Sequence, residues 1–162
     1  MTSLREQLQS TLHGRICFMG LGNVDGGDDG CGVRLAEALS VLGVPNVLVA
    51  GTDPERLISH CVAEGFSHLV FLDAVEFGAA PGSVVLLNAQ EMGARFPQFS
   101  THKISLWILA NYVEAGGKTR AWLLGVQPAS LKPATALSPA VRTTVVLLTE
   151  MLDSIVREVV GP

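Results

Sequence analysis

Residues 16–30 read I-C-F-M-G-L-G-N-V-D-G-G-D-D-G, and this stretch decides the fold class. Its first part, residues 16–22, is apolar without polar alternation, which is typical of a strand covered on both faces, as in parallel sheets. A loop rich in glycine and aspartate follows, and residues 30–42 then carry apolar side chains at helical spacing. The stretch therefore predicts the first strand, loop and helix of an α/β unit.

The rest of the chain repeats this alternation of strands and helices. Apolar runs predict strands over residues 46–52, 68–74, 83–88 and 121–127, and helical patterns predict helices over 54–64 and 102–115. Ser138-Pro139 is a strong helix start and precedes a long apolar periodicity. Near the N-terminus, Leu4, Leu8 and Leu12 predict a short amphipathic helix, for which Ser3 and Glu6 have capping-box spacing.

One connection sets the direction of a strand. Only residues 75–82, with a Pro81-Gly82 turn signal, separate the third and fourth predicted strands. Parallel neighbours need a crossover of about a dozen residues or more, so the fourth strand is expected to be antiparallel. The prediction is a three-layer α/β sandwich with a mixed, mostly parallel five-stranded sheet and helices on both faces. Residues 1–162 are expected to form a single domain, with residues 1–14 as a short N-terminal helical extension.

Composition excludes several classes of protein. With 48% hydrophobic and 16% charged residues in 162, the chain is core-rich and not disordered, and a net charge of −4 argues against a partner that is a nucleic acid. No apolar stretch approaches the ~20 residues that span a bilayer, and no signal peptide is visible, so we expect no membrane partner. Three cysteines without C-x-x-C spacing favour a reducing, cytoplasmic localisation.

Three separated side chains are the candidate functional residues. Asp29 ends the glycine-rich loop, Asp73 closes the third predicted strand, and His102 begins a predicted helix. In open α/β sheets, ligand sites form at the carboxyl ends of strands, near a switch point in strand order. If the first and third strands are neighbours, two carboxylates and an imidazole would meet there as an oxygen and nitrogen metal site.

Each candidate also has a purely structural interpretation. One of Asp28 and Asp29 would suffice to cap the helix that follows, Asp73 could cap its own loop, and His102 could bond to backbone. A dinucleotide-binding loop is disfavoured, because Asp28 and Asp29 place negative charge where a pyrophosphate would lie. The helix start would keep the imidazole of His102 neutral, as a metal ligand requires. We interpret His13, His60 and His68 as surface or packing residues, and Glu76 as solvated.

Four motifs in order resemble a known family. G-L-G-N-x-x-x-x-D-D-G, F-L-D-A with a nearby P-G, S-T-H and G-V-Q-P are similar to those of the hydrogenase maturation proteases, endopeptidases that trim the C-terminal tail of [NiFe] hydrogenase large subunits. The resemblance implies a phosphorylase/hydrolase-like fold and covers nearly the whole chain. The loop between G-N and D-D departs from the family, because it lacks the bulky apolar residues often found there.

The resemblance also implies roles for individual residues. Asp29, Asp73 and His102 correspond to metal-binding and catalytic positions, while Asn23, Asp28 and Gln127 would line or shape the substrate cleft. Nickel would be supplied by the precursor of the hydrogenase large subunit, with no permanently bound cofactor, and the enzyme would act as a monomer.

Two alternatives remain open on sequence grounds. A peptidyl-tRNA hydrolase also has G-L-G-N, but it needs a histidine shortly afterwards, and here none occurs before His60. A non-catalytic nickel-binding module on the same fold could use the same three side chains.

Overall fold

A computed structural model describes residues 1–95 and 101–161, and for residues 101–105 and 160 it describes the backbone alone. Every predicted strand is confirmed to within one residue at each end. The elements in chain order are α1 (Leu4–Thr11), β1 (Ile16–Leu21), a 3-10 turn (Gly27–Gly30), α2 (Cys31–Val41), β2 (Val47–Gly51), α3 (Glu55–Glu64), β3 (His68–Ala74), β4 (Val84–Asn88), α4 (Ala89–Arg95), α5 (Thr101–Ala115), β5 (Arg120–Val126) and α6 (Pro139–Val160).

The five strands form one sheet in the order β2-β1-β3-β5-β4. β1 pairs in parallel with β2 and β3, and β3 pairs in parallel with β5. β4 is antiparallel to β5, which confirms the direction predicted from the short connection. Since β1 lies beside β3, the carboxyl ends of these two strands are neighbours, as a shared site at this edge requires.

Helices cover both faces of the sheet, and alternate residues of each strand face opposite sides. Phe18, Val70 and Leu124 belong to the core shared with α1, α2 and α6. Cys17, Phe71 and Leu123 belong to the core shared with α3, α4 and α5. The three-layer sandwich with helices on both faces is thereby confirmed.

The first helix is part of the core and not a loose appendage. Ser3 and Glu6 form the expected capping box, with the Ser3 hydroxyl accepting from the Glu6 N–H at 3.1 Å. Leu8 and Leu12 are almost completely buried in the same cluster as α2 and α6. Of the described helices, none is both long enough and apolar enough to cross a bilayer.

The sequence interpretation missed the helix α4. It begins directly where β4 ends, so no glycine or proline marks the boundary. A local capping motif nevertheless marks its start. The Glu91 N–H donates to Asn88 Oδ1 at 2.8 Å, and the Asn88 N–H donates to Glu91 Oε1 at 3.1 Å. An Asn followed three residues later by Glu is a reciprocal cap of this kind.

Candidate active site

The loop of residues 22–30, called the acidic loop below, lies at the carboxyl edge of the sheet. Its backbone passes close to itself, with Gly22 against Asp29. Gly22 follows β1, has φ +118°, and lies so near the 3-10 turn that a Cβ there would overlap the carbonyl oxygen of Asp29. The same Cβ would lie 3.6 Å from Asp73 Oδ1. Only glycine combines this backbone conformation with this spacing. The Asp29 backbone, in the 3-10 turn, and the Asp73 carboxylate, near the end of β3, therefore both lie against Gly22.

Asp29 is held by its own loop. Its Oδ2 accepts a hydrogen bond from the Asn23 N–H at 3.0 Å, while the Asn23 side chain accepts from the Asp25 N–H at 2.9 Å. The Asn23 carbonyl also accepts from the Gly26 N–H at 3.0 Å. Asn23 thus shapes the turn that presents Asp29, whose side chain is only partly buried. The carboxylate keeps lone pairs for a further ligand, since Asp accepts at about four sites.

Asp73 is the last but one residue of β3 and is 1% exposed. Its Oδ1 accepts from the N–H of Ala74, the last residue of β3, at 2.8 Å. A buried carboxylate is costly unless it is hydrogen-bonded or metal-bound. The structure therefore brings two of the three predicted ligands to one edge.

The third predicted ligand is placed by its backbone only. α5 begins at Thr101, so His102 lies in its first turn, while its side chain and Ser100 lie outside the described residues. Among the described side chains, no group of three or more His, Cys, Asp or Glu is arranged to hold a metal ion. The joint site of Asp29, Asp73 and His102 stays a prediction.

Asp28 differs from its neighbour Asp29, because its side chain is buried and accepts hydrogen bonds from backbone N–H groups that are distant in the sequence. Its carboxylate accepts from the N–H groups of Ala129 at 2.8 Å, Ser130 at 3.4 Å and Ser138 at 2.7 Å, and from the Ser138 hydroxyl at 2.8 Å. Burial by itself would raise the pKa of Asp28, but the hydrogen bonds from Ser138, Ala129 and Ser130 outweigh it and hold that pKa below 3.8. Asp28 is thus an ionised structural anchor.

The expectation that an aspartate caps the helix after the loop is wrong. The N-cap of α2 is Gly30, and it makes no side-chain capping bond. The 3-10 turn intervenes and directs Asp28 toward the segment before α6. Ser138 is the N-cap of α6 as predicted, but its hydroxyl donates to Asp28 and does not cap the helix. Sequence reasoning missed this pairing, because 110 residues separate the two partners.

Gln127 organises the loop that follows Asp73. Buried just after β5, it accepts at Oε1 from the N–H groups of Phe77 at 2.8 Å and Ala79 at 3.3 Å. Its Nε2 donates to Glu76 Oε1 at 2.8 Å. Glu76 is exposed as expected, but it is also tied to Gln127. Gln127 thus fixes the loop that follows β3, as Asn23 fixes the loop that follows β1.

Comparison with known proteins identifies the class to which this fold and edge belong. The family model HycI, described as hydrogenase maturation protease, matches residues 33–155, a range that includes Asp73, His102 and Gln127. The Hydrogenase 2 maturation protease of Escherichia coli K12 is 30% identical over 152 residues, covering 89% of this chain and 92% of that protein.

Solved structures agree with this match. The [NiFe] hydrogenase maturation protease HycI from Thermococcus kodakarensis KOD1 has a TM-score of 0.84 at 28% identity, covering 93% of this chain and 99% of that one. The hydrogenase maturating endopeptidase HybD from E. coli has a TM-score of 0.73 at 28% identity, covering 89% and 93%.

The protein is therefore an α/β peptidase. It belongs to the hydrogenase maturation protease family, which confirms the resemblance seen in its motifs. This membership decides against the peptidyl-tRNA hydrolase alternative.

Proposed function

We propose that this peptidase removes the C-terminal extension of the nickel-loaded precursor of a [NiFe] hydrogenase large subunit. The substrate's nickel serves as the recognition element, so the enzyme needs no metal of its own. Asp29, Asp73 and His102 bind that nickel and act in catalysis, while Asn23, Asp28 and Gln127 form or shape the substrate cleft. A precursor without nickel lacks the feature by which it docks, and it remains uncut.

The observation that supports this proposal most directly is that the backbone of Asp29 and the carboxylate of Asp73 both lie against Gly22. One carboxylate from the 3-10 turn after β1 and one from β3, with an imidazole from the first turn of α5, offer oxygen and nitrogen donors to a borderline divalent cation. The precursor's own thiolates complete the coordination. Because the nickel ion is part of the precursor, the side chains that bind the ion also bind the substrate.

The reaction is hydrolysis of one peptide bond. The oxygen of a water molecule bonds to the scissile carbonyl carbon, the C–N bond breaks, and the protons of that water pass to the new amine and the new carboxyl group. Nickel can assist as a Lewis acid that polarises the carbonyl or activates the water. Alternatively, nickel only positions the tail, and Asp29 or Asp73 accepts the proton as general base.

We further propose that the protein acts as a monomer in the cytoplasm, on a protein substrate and without nucleic acid or membrane partners. Its cysteines support a reducing compartment: Cys17, Cys31 and Cys61 are all buried, and none of them forms a disulfide. Buried free cysteines behave as small apolar side chains and require no oxidising environment.

The decisive experiment incubates the protein with a nickel-loaded and a nickel-free precursor and measures the intact mass of the products. We expect loss of the C-terminal tail with the loaded precursor alone. Equal processing of both forms would contradict nickel recognition, and no mass loss from either would contradict the proposed activity. Binding of the loaded form without mass loss would instead identify a non-catalytic nickel-binding module.

A further inference from the structure

The segment between β5 and α6, residues 128–138, has no helix or strand of its own, yet it is bound firmly to the acidic loop. The Gly27 N–H donates to the Ala134 carbonyl at 2.8 Å, and the Ala134 N–H donates to the Asp25 carbonyl at 3.0 Å. These bonds form an isolated parallel bridge between Gly26 and Ala134. The 128–138 segment therefore runs alongside residues 25–27 of the loop that leads to Asp29.

The two segments also touch closely at Gly27. This glycine has φ +62°, and a Cβ there would lie 3.0 Å from the Lys132 carbonyl oxygen and 3.7 Å from the Ala134 Cβ. A side chain at Gly27 would push the 128–138 segment away from the loop. The path of that segment thus depends on contacts with residues next to a candidate catalytic carboxylate.

Asp28 is the main anchor of this arrangement. Its carboxylate receives hydrogen bonds from both ends of the segment, at Ala129 and Ser130 and again at Ser138. The side chain is 1% exposed, so it is not available to touch a substrate. An ionised carboxylate that accepts several bonds in a buried place is a strong and directional anchor.

The outer surface of the segment is open. Residues 129–136 are exposed, and Leu131 in particular has 52% of its surface accessible although it is a large apolar side chain. Single exposed leucines need no explanation in general. This one, however, lies on a segment that is hydrogen-bonded to the loop of Asp29, and it leaves an apolar side chain open to a polypeptide.

From these contacts we infer that the 128–138 segment is a substrate-binding wall of the active site, that Leu131 contacts the precursor beside the scissile bond, and that Asp28 is the positioning residue for this wall. The inference rests on the proposed function for the identity of the substrate. Asp28 and Asp29, adjacent in the chain, then have separate tasks. Asp29 acts on the reacting group, and Asp28 sets where the substrate lies.

The first test measures cleavage kinetics with nickel-loaded precursor for Leu131→Ala and for Leu147→Ala. Leu147 is a matched control, since it is 56% exposed on α6. We expect Leu131→Ala to raise KM about fivefold with little change in kcat, as for one lost apolar contact, and Leu147→Ala to change neither. An unchanged KM for Leu131→Ala would overturn the assignment of the wall.

The second test examines Asp28→Asn and Ser138→Ala by hydrogen exchange and by the same kinetics. Asn presents an N–H₂ group to donors, so the amides of Ala129, Ser130 and Ser138 should exchange faster and KM should rise with kcat little changed. Ser138→Ala keeps the charge and removes one donor, so it should show the same pattern more weakly. A fall in kcat with KM and exchange unchanged would show that Asp28 acts in the chemistry.

The outcomes also separate this inference from the proposed function. If the wild-type protein fails to cut the loaded precursor, the proposed function fails. The same variants are then judged by precursor affinity and by exchange, and an unweakened Leu131→Ala complex would overturn the wall. If Asp28→Asn does not fold, Ser138→Ala decides the role of the anchor.

Discussion

The two edges of the sheet hold polar residues of opposite character on the same strands. β3 has Asp73 at its carboxyl end and begins at His68, whose register partner on β5 is Arg120. At the carboxyl edge, backbone N–H groups donate to the carboxylates of Asp29 and Asp73. At the amino edge, side chains satisfy one another: the Trp122 indole N–H donates to His68 Nδ1 at 3.0 Å.

The imidazole at the amino edge is kept neutral. Burial, then the nearby charges of His13 and Arg120, lower the pKa of His68 to about 4. A ring that accepts a hydrogen bond at Nδ1 must carry its proton at Nε2 and is not a metal ligand in that form. Asp73 and His68 lie near opposite ends of β3. The difference between them indicates that a polar residue near a strand end becomes part of a site only where a loop brings ligand-binding groups beside it. His68 is 4% exposed and is a packing residue, as its sequence surroundings suggested.

The largest difference between the edges should appear in cleavage. Asp29→Asn, Asp73→Asn and His102→Ala should each lower the rate with nickel-loaded precursor by about 100-fold or more, since removal of one acid–base or charge-stabilising group commonly has this effect. The measurement is the time course of tail loss by mass, with thermal unfolding to confirm that the variants are folded.

Two matched variants serve as controls for that prediction. Asp25→Asn changes an exposed aspartate of the same loop, and His60→Ala changes an exposed histidine on α3. Both should process the precursor at the wild-type rate. Full activity in all three site variants, with a fully loaded precursor, would remove the catalytic assignment.

Gly22→Ala should damage both stability and activity. The new Cβ combines a positive φ with overlap on the Asp29 carbonyl, and we expect a loss of about 1–3 kcal/mol in the free energy of unfolding together with slow cleavage. Gly117→Ala is the control at the other edge, because Gly117 has φ +79° and its Cβ would meet no described atom within 4 Å. It should lose about 1 kcal/mol and keep full activity. If Gly22→Ala cleaves normally, the placement of Asp29 does not depend on this contact.

Asp28→Asn should lower the free energy of unfolding by about 1–3 kcal/mol, because a buried group loses acceptor capacity. The effect depends on pH with a definite sign. The folded pKa of Asp28 lies below its ordinary 3.8, so its contribution is present above that value and is lost as the pH falls through the lowered pKa. Urea titrations from about pH 2 to about pH 7 should show that the variant loses less free energy of unfolding than the wild type as the pH falls. An identical pH dependence would refute the anchor.

The smallest effect on cleavage is expected at His68. Since its pKa falls from 6.5 in the unfolded chain to about 4 in the folded one, unfolding takes up a proton between these values. The folded state should therefore lose stability as the pH falls from 6.5 to 4. His68→Gln should flatten that slope and leave cleavage at pH 7 unchanged. A loss of cleavage in this variant would contradict the division between the edges.

Local sequence was sufficient for most of the architecture. The apolar runs located all five strands, and the short connection before β4 predicted its direction, because a crossover of that length is too short for parallel neighbours. The Ser3–Glu6 cap was predicted for the same reason: its donors and acceptors lie within one turn. The helix α4 was not predicted, since it follows β4 without a break, and neither was the 3-10 turn before α2.

The candidate site was predictable in part. Asp73 stands out because a carboxylate closes an apolar run, and the Asp29 loop stands out because glycines and acids follow the first strand. Which of the two adjacent aspartates would be buried was not predictable. The donors to Asp28 come from positions 129, 130 and 138, and no local pattern connects them to the loop.

By itself, the sequence determined the order of the strands and of every helix but α4 and the 3-10 turn, the layers they form, and the presence of carboxylates in the loop after β1 and at the end of β3. These properties follow from periodicity and turn chemistry, which act over a few residues. Tertiary structure alone decided that the Asp29 backbone and the Asp73 carboxylate both lie against Gly22 and that Asp28 holds a distant segment. Close approach and burial depend on which chain segments meet in space, and that is settled only when the sheet has formed.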